Sequence, residues 1–336
     1  FWRVRYDVNP NGAVLELRNL VNFDLGTNGS GNQNAVGRAL TGGQLQASDD
    51  WAAVLSLLAG LNTSQRQAVF NSLSGEALAD LNSALFAAND AFTGAVREAG
   101  ASRNQGSAPL NFASAFSFVG GRDGAAAMVT GYARFDDGRW AADLTASAYG
   151  GEIDSRRMVT AGAFSGQALG RTHGEGQSLS ASIARRFAND SGGTVSVGVM
   201  ETMSRSTVDG FTETAGGGLS LEVAEQERNW QTTQLNLRVT QDYRPDGQPL
   251  RLYGGLGVLI TTGDREALAD MRFSGAAAGF GGFTIEGAQA APLAGVTEFG
   301  LEYQPRKGVT LSTGYRAVFS DRLHDNQIGA RMSVQW

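Results

Sequence analysis

The sequence of 336 residues contains no cysteine and only two histidines, His173 and His324. It therefore has no disulfide framework, no thiolate zinc or iron–sulfur site, and no cysteine nucleophile. Proline is also scarce, with 6 residues, and charged residues make up only 18% of the chain. No stretch approaches the roughly 18 consecutive apolar residues of a membrane-spanning helix.

Glycine, in contrast, supplies 46 residues, roughly twice its usual share. It does not recur at every third position, which excludes collagen, and a hydrophobic content of 42% excludes wholesale disorder. The net charge of −6 argues against a nucleic-acid partner. This combination is typical of a bacterial outer-membrane barrel, and a secreted β-solenoid shares it.

The chain changes character near residue 105. Residues 1–17 alternate apolar and polar positions around a turn and predict a β-hairpin or the last rung of a stacked β-structure, whereas residues 26–34 predict a linker. Residues 51–61 predict a short helix. From 63 to 98 the apolar spacing is helical without a proline. One side of this helix carries a flank of small residues, namely Ala84, Ala88, Ala91 and Ala95.

After residue 110 the pattern has a period of two, as in strands with one apolar and one polar face. Short connections alternate strictly with longer polar ones, which is typical of an up-and-down transmembrane barrel. We predict ten strands, an even number as a closed bacterial barrel requires. The strands are 110–119, 125–135, 139–151, 177–187, 194–207, 230–243, 250–262, 293–303, 309–319 and 327–336, and the longer connections are 152–176, 208–229, 263–292 and 320–326.

The polar face of these strands is rich in glycine, serine, threonine and arginine, which suits a watery or plugged lumen. Alternation alone is equally compatible with a soluble barrel, but aromatic residues also lie near strand ends, as the girdles at the two membrane interfaces require. We therefore predict a transmembrane antiparallel up-and-down β-barrel. The girdle residues are Trp140, Tyr149, Phe187, Tyr243, Tyr303, Phe319 and Trp336.

Four segments carry recognisable motifs in order. They are residues 32–40 (NQNAVGRAL), 72–85 (SLSGEALADLNSAL), 208–221 (VDGFTETAGGGLSL) and 319–336 (FSDRLHDNQIGARMSVQW). Together they resemble the C-terminal translocator domain of an autotransporter, a self-secreting (type V) protein of Gram-negative outer membranes. The resemblance covers nearly the whole chain, and Leu-Ser-Gly-Glu with Asp-Gly-Phe-Thr-Glu is its most specific pairing.

The resemblance implies a barrel with an N-terminal α-helix in the pore, which joins the barrel to an exported passenger. Residues 1–62 are then the end of the passenger stem and a linker, 63–105 the pore-spanning helix and its connector, and 106–336 the barrel. The family barrel has twelve strands where ten are predicted here. The residues assigned to the pore helix are Leu73, Gly75, Glu76, Ala84, Ala88 and Phe92.

Three arginines on the polar parity are predicted to face the lumen: Arg238, Arg316 and Arg331. A lumen arginine requires a carboxylate, a helix C-terminus or water. The carboxylates available on the predicted helix are Glu76, Asp80 and Glu98.

The last strand has apolar residues at alternate positions and ends in an aromatic residue, Trp336. Family members usually have phenylalanine at this last position. This ending resembles the signal that barrel-assembly machinery reads. Expected partners are that machinery, outer-membrane lipid and the chain's own passenger, with no cofactor and no nucleic acid. The resemblance places the passenger side at the cell surface and the C-terminus in the periplasm. The signal residues are Ile328, Met332, Val334 and Trp336.

Two other functions remain open at this stage. A barrel that has lost export can serve as a scaffold or complex subunit, which the strand count would suit. Histidine and acidic groups in two long connections also suggest a rim protease like the omptins, although solvated loop residues explain them better. Some autotransporters cut themselves at a pore-helix asparagine. The residues concerned are His173, Glu175, His324 and Asp325 for the protease, and Asn71, Asn82 and Asn89 for self-cleavage.

Overall fold

The computed structural model describes residues 3–7, 14–18, 20–44, 47, 49–103, 110–121, 124–161, 164–321 and 324–334. Within these ranges no helix combines the length and the apolar character needed to cross a membrane. Five helices occupy the N-terminal third of the chain. They are α1 (Gly31–Gly43), α2 (Asp49–Ala59), α3 (Thr63–Ser74), α4 (Glu76–Ala79) and α5 (Leu81–Arg103).

The strands form a two-stranded hairpin, a ten-stranded sheet and a four-stranded sheet. In chain order they are β1 (Arg3–Asp7), β2 (Val14–Arg18), β3 (Leu110–Gly121), β4 (Gly124–Asp136), β5 (Trp140–Ala161), β6 (Phe164–Ala188), β7 (Gly193–Val208), β8 (Phe211–Thr212), β9 (Leu221–Val223), β10 (Gln226–Tyr243), β11 (Leu250–Gly263), β12 (Glu266–Phe273), β13 (Gly282–Gln289), β14 (Leu293–Arg306), β15 (Val309–Phe319) and β16 (His324–Val334).

The ten-stranded antiparallel sheet is curled into a half-barrel, with the N-terminal helices beside it. Its order is β16-β15-β14-β11-β10-β7-β6-β5-β4-β3, so each strand pairs with the previous and the next strand of the same sheet. The ten predicted strands are confirmed. The predicted closure differs, because within the described residues β3 and β16 form the two ends of the sheet and do not pair with each other.

Two of the strands extend well beyond the predicted bounds. The segment 152–176, expected to be a polar loop, continues as β5 and β6, which pair from Trp140↔Arg185 to Ala161↔Phe164. Polar side chains obscured this hairpin, because strands outside the lipid do not need an apolar face while the backbone ladder still pairs. The sheet therefore has a long-loop end and a short-turn end.

At the long-loop end the helices and the second sheet share one hydrophobic core, and we call this unit the cap. It comprises the described residues of 20–80, which include α1–α4, together with residues 211–223 and 266–289, which include β8, β9, β12 and β13. For the first part the sequence predicts a linker, a short helix and the start of the pore helix, and for the second part it predicts polar connections. The bulky side chains that are fully buried in it include Phe23, Leu40, Trp51, Leu55, Phe70, Leu73, Leu219, Phe273 and Ile285.

The free edge of the small sheet is covered by side chains from the N-terminal part of the cap. The Asn32 amide donates to the Glu286 carbonyl at 2.7 Å and accepts from the Glu286 N–H at 2.9 Å, as a neighbouring strand would. The Asp80 carboxylate accepts from the Ala288 N–H at 2.7 Å. The Asn-Gln motif thus helps to join the two parts of the cap.

Paired leucines of α2 test whether this core is formed as described. Leu55 is fully buried and Leu57 is 38% exposed. We expect Leu55→Ala to destabilise the cap by about 2–5 kcal/mol, because it removes buried methyl groups and leaves a cavity. Leu57→Ala should cost a small fraction of that. Peptide-resolved hydrogen exchange of α2 and β12 measures both; equal protection in the two variants would contradict the core.

Candidate functional site

Helix α5 lies on one face of the large sheet, which we call the inner face, against strands β3–β7 and β10. The Asn89 amide donates to the Ser178 hydroxyl at 3.1 Å, and the Phe86 and Trp230 rings meet edge to face with centroids 4.4 Å apart. Further along, Arg97 donates to the Ser180 hydroxyl at 3.4 Å. The helix therefore runs from the long-loop end towards the short-turn end.

The side of α5 that meets the wall is not the predicted flank of small residues. Its buried residues are Asn82, Asn89, Thr93 and Val96, whereas Ala84 and Ala88 are exposed. Phe92 is half-buried. The reason is the wall itself: the inner face presents serine and threonine hydroxyls, which polar helix side chains can meet and alanines cannot.

The other three residues assigned to the pore helix lie in the cap. Leu73 is fully buried in the cap core, and the helix breaks at Gly75, whose φ is +66°. A Cβ on Gly75 would lie 2.7 Å from the Leu221 side chain, so both conformation and space favour glycine there. Glu76 begins α4. The predicted single helix over 63–98 is three helices with two breaks.

The predicted lumen arginines lie on the inner face, and Arg238 pairs with a carboxylate of the wall rather than with one of the helix. Arg238 lies 3.5 Å from the Glu298 carboxylate and 4.0 Å above the Tyr253 ring. Arg316 stands opposite Glu298 on the neighbouring strand, and Arg331 stands opposite Ser312.

A second inner-face network lies near the short-turn end and was not predicted. Arg134 contacts Asp136 at 3.1 Å and Asp143 at 3.2 Å, and Arg186 contacts Asp136 at 2.7 Å. Tyr132 donates to Asp143 at 2.8 Å. On β4 and β5 these residues alternate with apolar ones. The period of two in the sequence is therefore enough to predict that their side chains share one face of the sheet.

Two carboxylates outside the apolar band are held in their charged form. In the turn after β4, backbone N–H groups of Trp140 and then Arg139 donate to Asp137, which lowers the pKa of that carboxyl. On the long hairpin, Arg171 donates to Asp154 at 2.7 Å and lowers the pKa of Asp154.

The most connected side chain of the site is Arg157 on β5, at the junction of the sheet and the cap. Its guanidinium donates to both carboxylate oxygens of Glu213, to the Ser72 carbonyl at 2.9 Å and to the Leu219 carbonyl at 3.0 Å. The Glu213 side chain is fully buried and also accepts from the Leu221 N–H at 2.8 Å. The fork geometry of arginine allows this number of bonds from one residue.

Arg157 thereby brings the two most specific motifs of the sequence into contact. Ser72 precedes the Leu-Ser-Gly-Glu motif, and Glu213 ends the Asp-Gly-Phe-Thr-Glu motif. Arg157 was missed because residue 157 was assigned to a loop. Continuing the alternation of β5 past residue 151 places it on the inner face, next to the buried Val159.

The residues considered for catalysis are not brought together. His173 and Glu175 lie on the exposed outer parity of β6, whereas His324 and Asp325 begin β16. Five strands lie between β6 and β16. Among the described residues, no group of three or more histidine, aspartate or glutamate side chains is arranged to hold a metal ion.

The amino-acid sequence matches a known protein family. The autotransporter β-domain family matches residues 99–316. The chain belongs to this family. Membership gives it the outer membrane as its location and an attached passenger as its expected neighbour. The whole N-terminal part of the cap, within residues 20–80, lies ahead of the matched residues of the autotransporter β-domain.

Solved structures with similar folds include two autotransporter domains. The translocator domain of NalP from Neisseria meningitidis is 14% identical, with 69% of this chain and 77% of that chain covered and a TM-score of 0.48. The β-domain of BrkA from Bordetella is 15% identical, with 67% and 82% covered and a TM-score of 0.44. The toluene transporter TbuX from Ralstonia pickettii is 10% identical, with 68% and 69% covered and a TM-score of 0.43. No curated protein sequence matches the chain significantly.

Arg157→Gln should release the N-terminal part of the cap from the sheet. It leaves the buried Glu213 carboxylate without its cation, a loss of about 3–5 kcal/mol. Arg156→Gln is the matched control, because Arg156 is exposed on the opposite face of the same strand. Hydrogen exchange of α1 and α3 should rise in the first variant and not in the second. Equal exchange in both would contradict the role of Arg157.

The contact between α5 and the wall can be tested by cross-linking, since the chain has no native cysteine. A short bifunctional thiol reagent should join cysteines in the Asn89→Cys/Ser178→Cys variant, whose parent side chains are 3.1 Å apart. The Asn89→Cys/Leu179→Cys variant should not be joined, because Leu179 points to the outer face. Cross-linking of the control pair alone would show that α5 lies elsewhere.

Proposed function

We propose that this autotransporter β-domain exports the polypeptide ahead of its N-terminus to the cell surface and then anchors it there. The observation that carries the proposal is the path of the chain. It leaves the cap at the long-loop end and follows the inner face as α5. It then enters β3 at the short-turn end, where Leu110 pairs with Phe135.

The dimensions of α5 suit this path. Its 23 residues correspond to about 35 Å of helix, close to the roughly 30 Å thickness of a bilayer's hydrocarbon core. Polar contacts with the wall hold it, as a helix inside a polar lumen requires. The segment ahead of α5 therefore lies on the opposite side of the membrane from the short turns.

The outer face of the sheet supplies the membrane contact. Large apolar side chains alternate along its strands and are exposed, as lipid-facing residues are. Outer-membrane barrels place short turns in the periplasm and long loops outside. The cap is then extracellular. The exposed residues include Phe116, Leu144, Ile183, Val197, Leu237, Leu256, Phe299, Ile328 and Met332.

The cap explains how export ends. Its core needs both the N-terminal helices and the loop strands, and Arg157 bonds to both. Once the two parts have met outside, returning the N-terminal part to the pore requires breaking that core. The cap thus retains the exported segment and covers the pore exit.

The C-terminal strand β16 supports the proposal that barrel-assembly machinery is a partner of this chain. Ile328, Met332 and Val334 are exposed on the outer face of β16, and β16 is an end strand of the sheet. Trp336 lies outside the described residues. A strand with one unpaired edge of this kind can be recognised by strand addition, which suits barrel-assembly machinery as the partner.

Single cysteines test the orientation. Asp246 lies in a short turn and Ala278 at the tip of a cap loop, and both are exposed. On intact cells, an impermeant thiol reagent should label Ala278→Cys and leave Asp246→Cys unlabelled. An epitope fused ahead of residue 1 should bind antibody on the same cells. An epitope that is detected only after permeabilisation, with the cysteines labelled as expected, would favour the non-exporting scaffold.

A further inference from the structure

Among the described strands, one cation lies on the lipid-facing side of the sheet at the short-turn margin of the apolar band. Arg185 shares the outer parity of β6 with Leu179, Ile183 and Phe187, which are each about half-exposed. Its partner across the next strand is Val197, also exposed on that face. A cation among lipid-facing apolar residues is energetically costly unless an anion or water reaches it.

Two aromatic rings hold the guanidinium at a defined position. Its central carbon lies 5.4 Å from the Trp140 ring centroid and 5.1 Å from the Phe187 ring centroid. Trp140 is also the cross-strand partner of Arg185. Such cation–π contacts leave the N–H groups at the guanidinium edge free to donate.

No acidic side chain satisfies those donors. Nine other described arginines have carboxylate partners, among them Arg186 next in the chain, which turns inward to Asp136. Within the described part of the chain, the Arg185 guanidinium contacts only the two aromatic rings. The only other charged group within the outer-face apolar band of the described strands, Glu201, bonds to Thr233 at 2.6 Å on a different pair of strands.

The depth of Arg185 identifies the missing anion. It lies three residues before the end of β6, beside the aromatic residues that mark the interface at the short-turn end. At this depth phospholipids present their phosphodiester groups, and arginine binds a phosphate with two parallel N–H donors. We propose that Arg185, Trp140 and Phe187 form a binding site for the phosphodiester headgroup of one phospholipid in the adjacent leaflet.

The site requires the sheet to lie in a membrane and is independent of export. A barrel that exports nothing would still have it, and an exporting barrel without it would still fulfil the function proposed above. Headgroup binding at this site fixes the depth of β5 and β6 in the bilayer. The phosphate contact and the lipid contacts of the neighbouring apolar residues both favour the same depth.

Native mass spectrometry of the full chain in detergent tests the site. The probes are phosphatidylglycerol and a diacylglycerol with the same acyl chains, which lacks the phosphate. The wild-type chain should retain phosphatidylglycerol over diacylglycerol, and Arg185→Gln should lower that retention about fivefold, the factor of one arginine at a membrane surface. Trp140→Leu should lower it as well.

Arg171→Gln is the matched control, because Arg171 lies on the same face of the same strand at the long-loop end. It should retain the lipid as the wild type does, and gel migration before and after boiling should show every variant folded. Equal retention in folded Arg185→Gln would overturn the proposal. Inorganic phosphate alone should not bind; phosphate binding that depends on Arg185 would assign the site to a soluble anion instead.

Discussion

The need to pair every backbone polar group governs this structure. In lipid no water can satisfy an N–H or C=O group, so strands that cross a membrane do so as a hydrogen-bonded sheet. Antiparallel pairing then fixes a period of two, with lipid on one face and the lumen on the other. Inner-face arginines such as Arg134 and Arg238 follow from this constraint, because the lumen offers them carboxylates and water.

Outside the membrane the same strands serve a second purpose. β5 and β6 continue past the apolar band and carry Arg157 to the place where the helices and loops meet. There the relation between faces reverses, since the inner parity carries the buried Val159 and supports a hydrophobic core. One continuously paired hairpin therefore forms part of the membrane wall in one segment and supports the cap in the next.

The sequence was most informative where one physical requirement acts along a whole segment. Alternation imposed by lipid located all ten strands of the large sheet, and short turns marked one end of it. It was least informative where contacts between distant segments decide the structure. In the cap core Trp51 packs on Phe273, and Phe70 belongs to the same core as strands more than a hundred residues away. Neither of the connections 208–229 and 263–292 has a sequence period that reveals which segment it packs against. Gly75 is a local signal for the end of a helix. The apolar stripe continues past it, however, and therefore predicts one unbroken helix.

The side chains that cover β13 have a consequence wherever two copies of this chain meet. A bare strand edge on each would allow sheets to grow from one copy to the next. Asn32 and Asp80 occupy that edge, and the opposite edge of the small sheet meets β6 through Leu169 and Thr214. With both edges occupied, the small sheet offers a second copy no bare strand to extend.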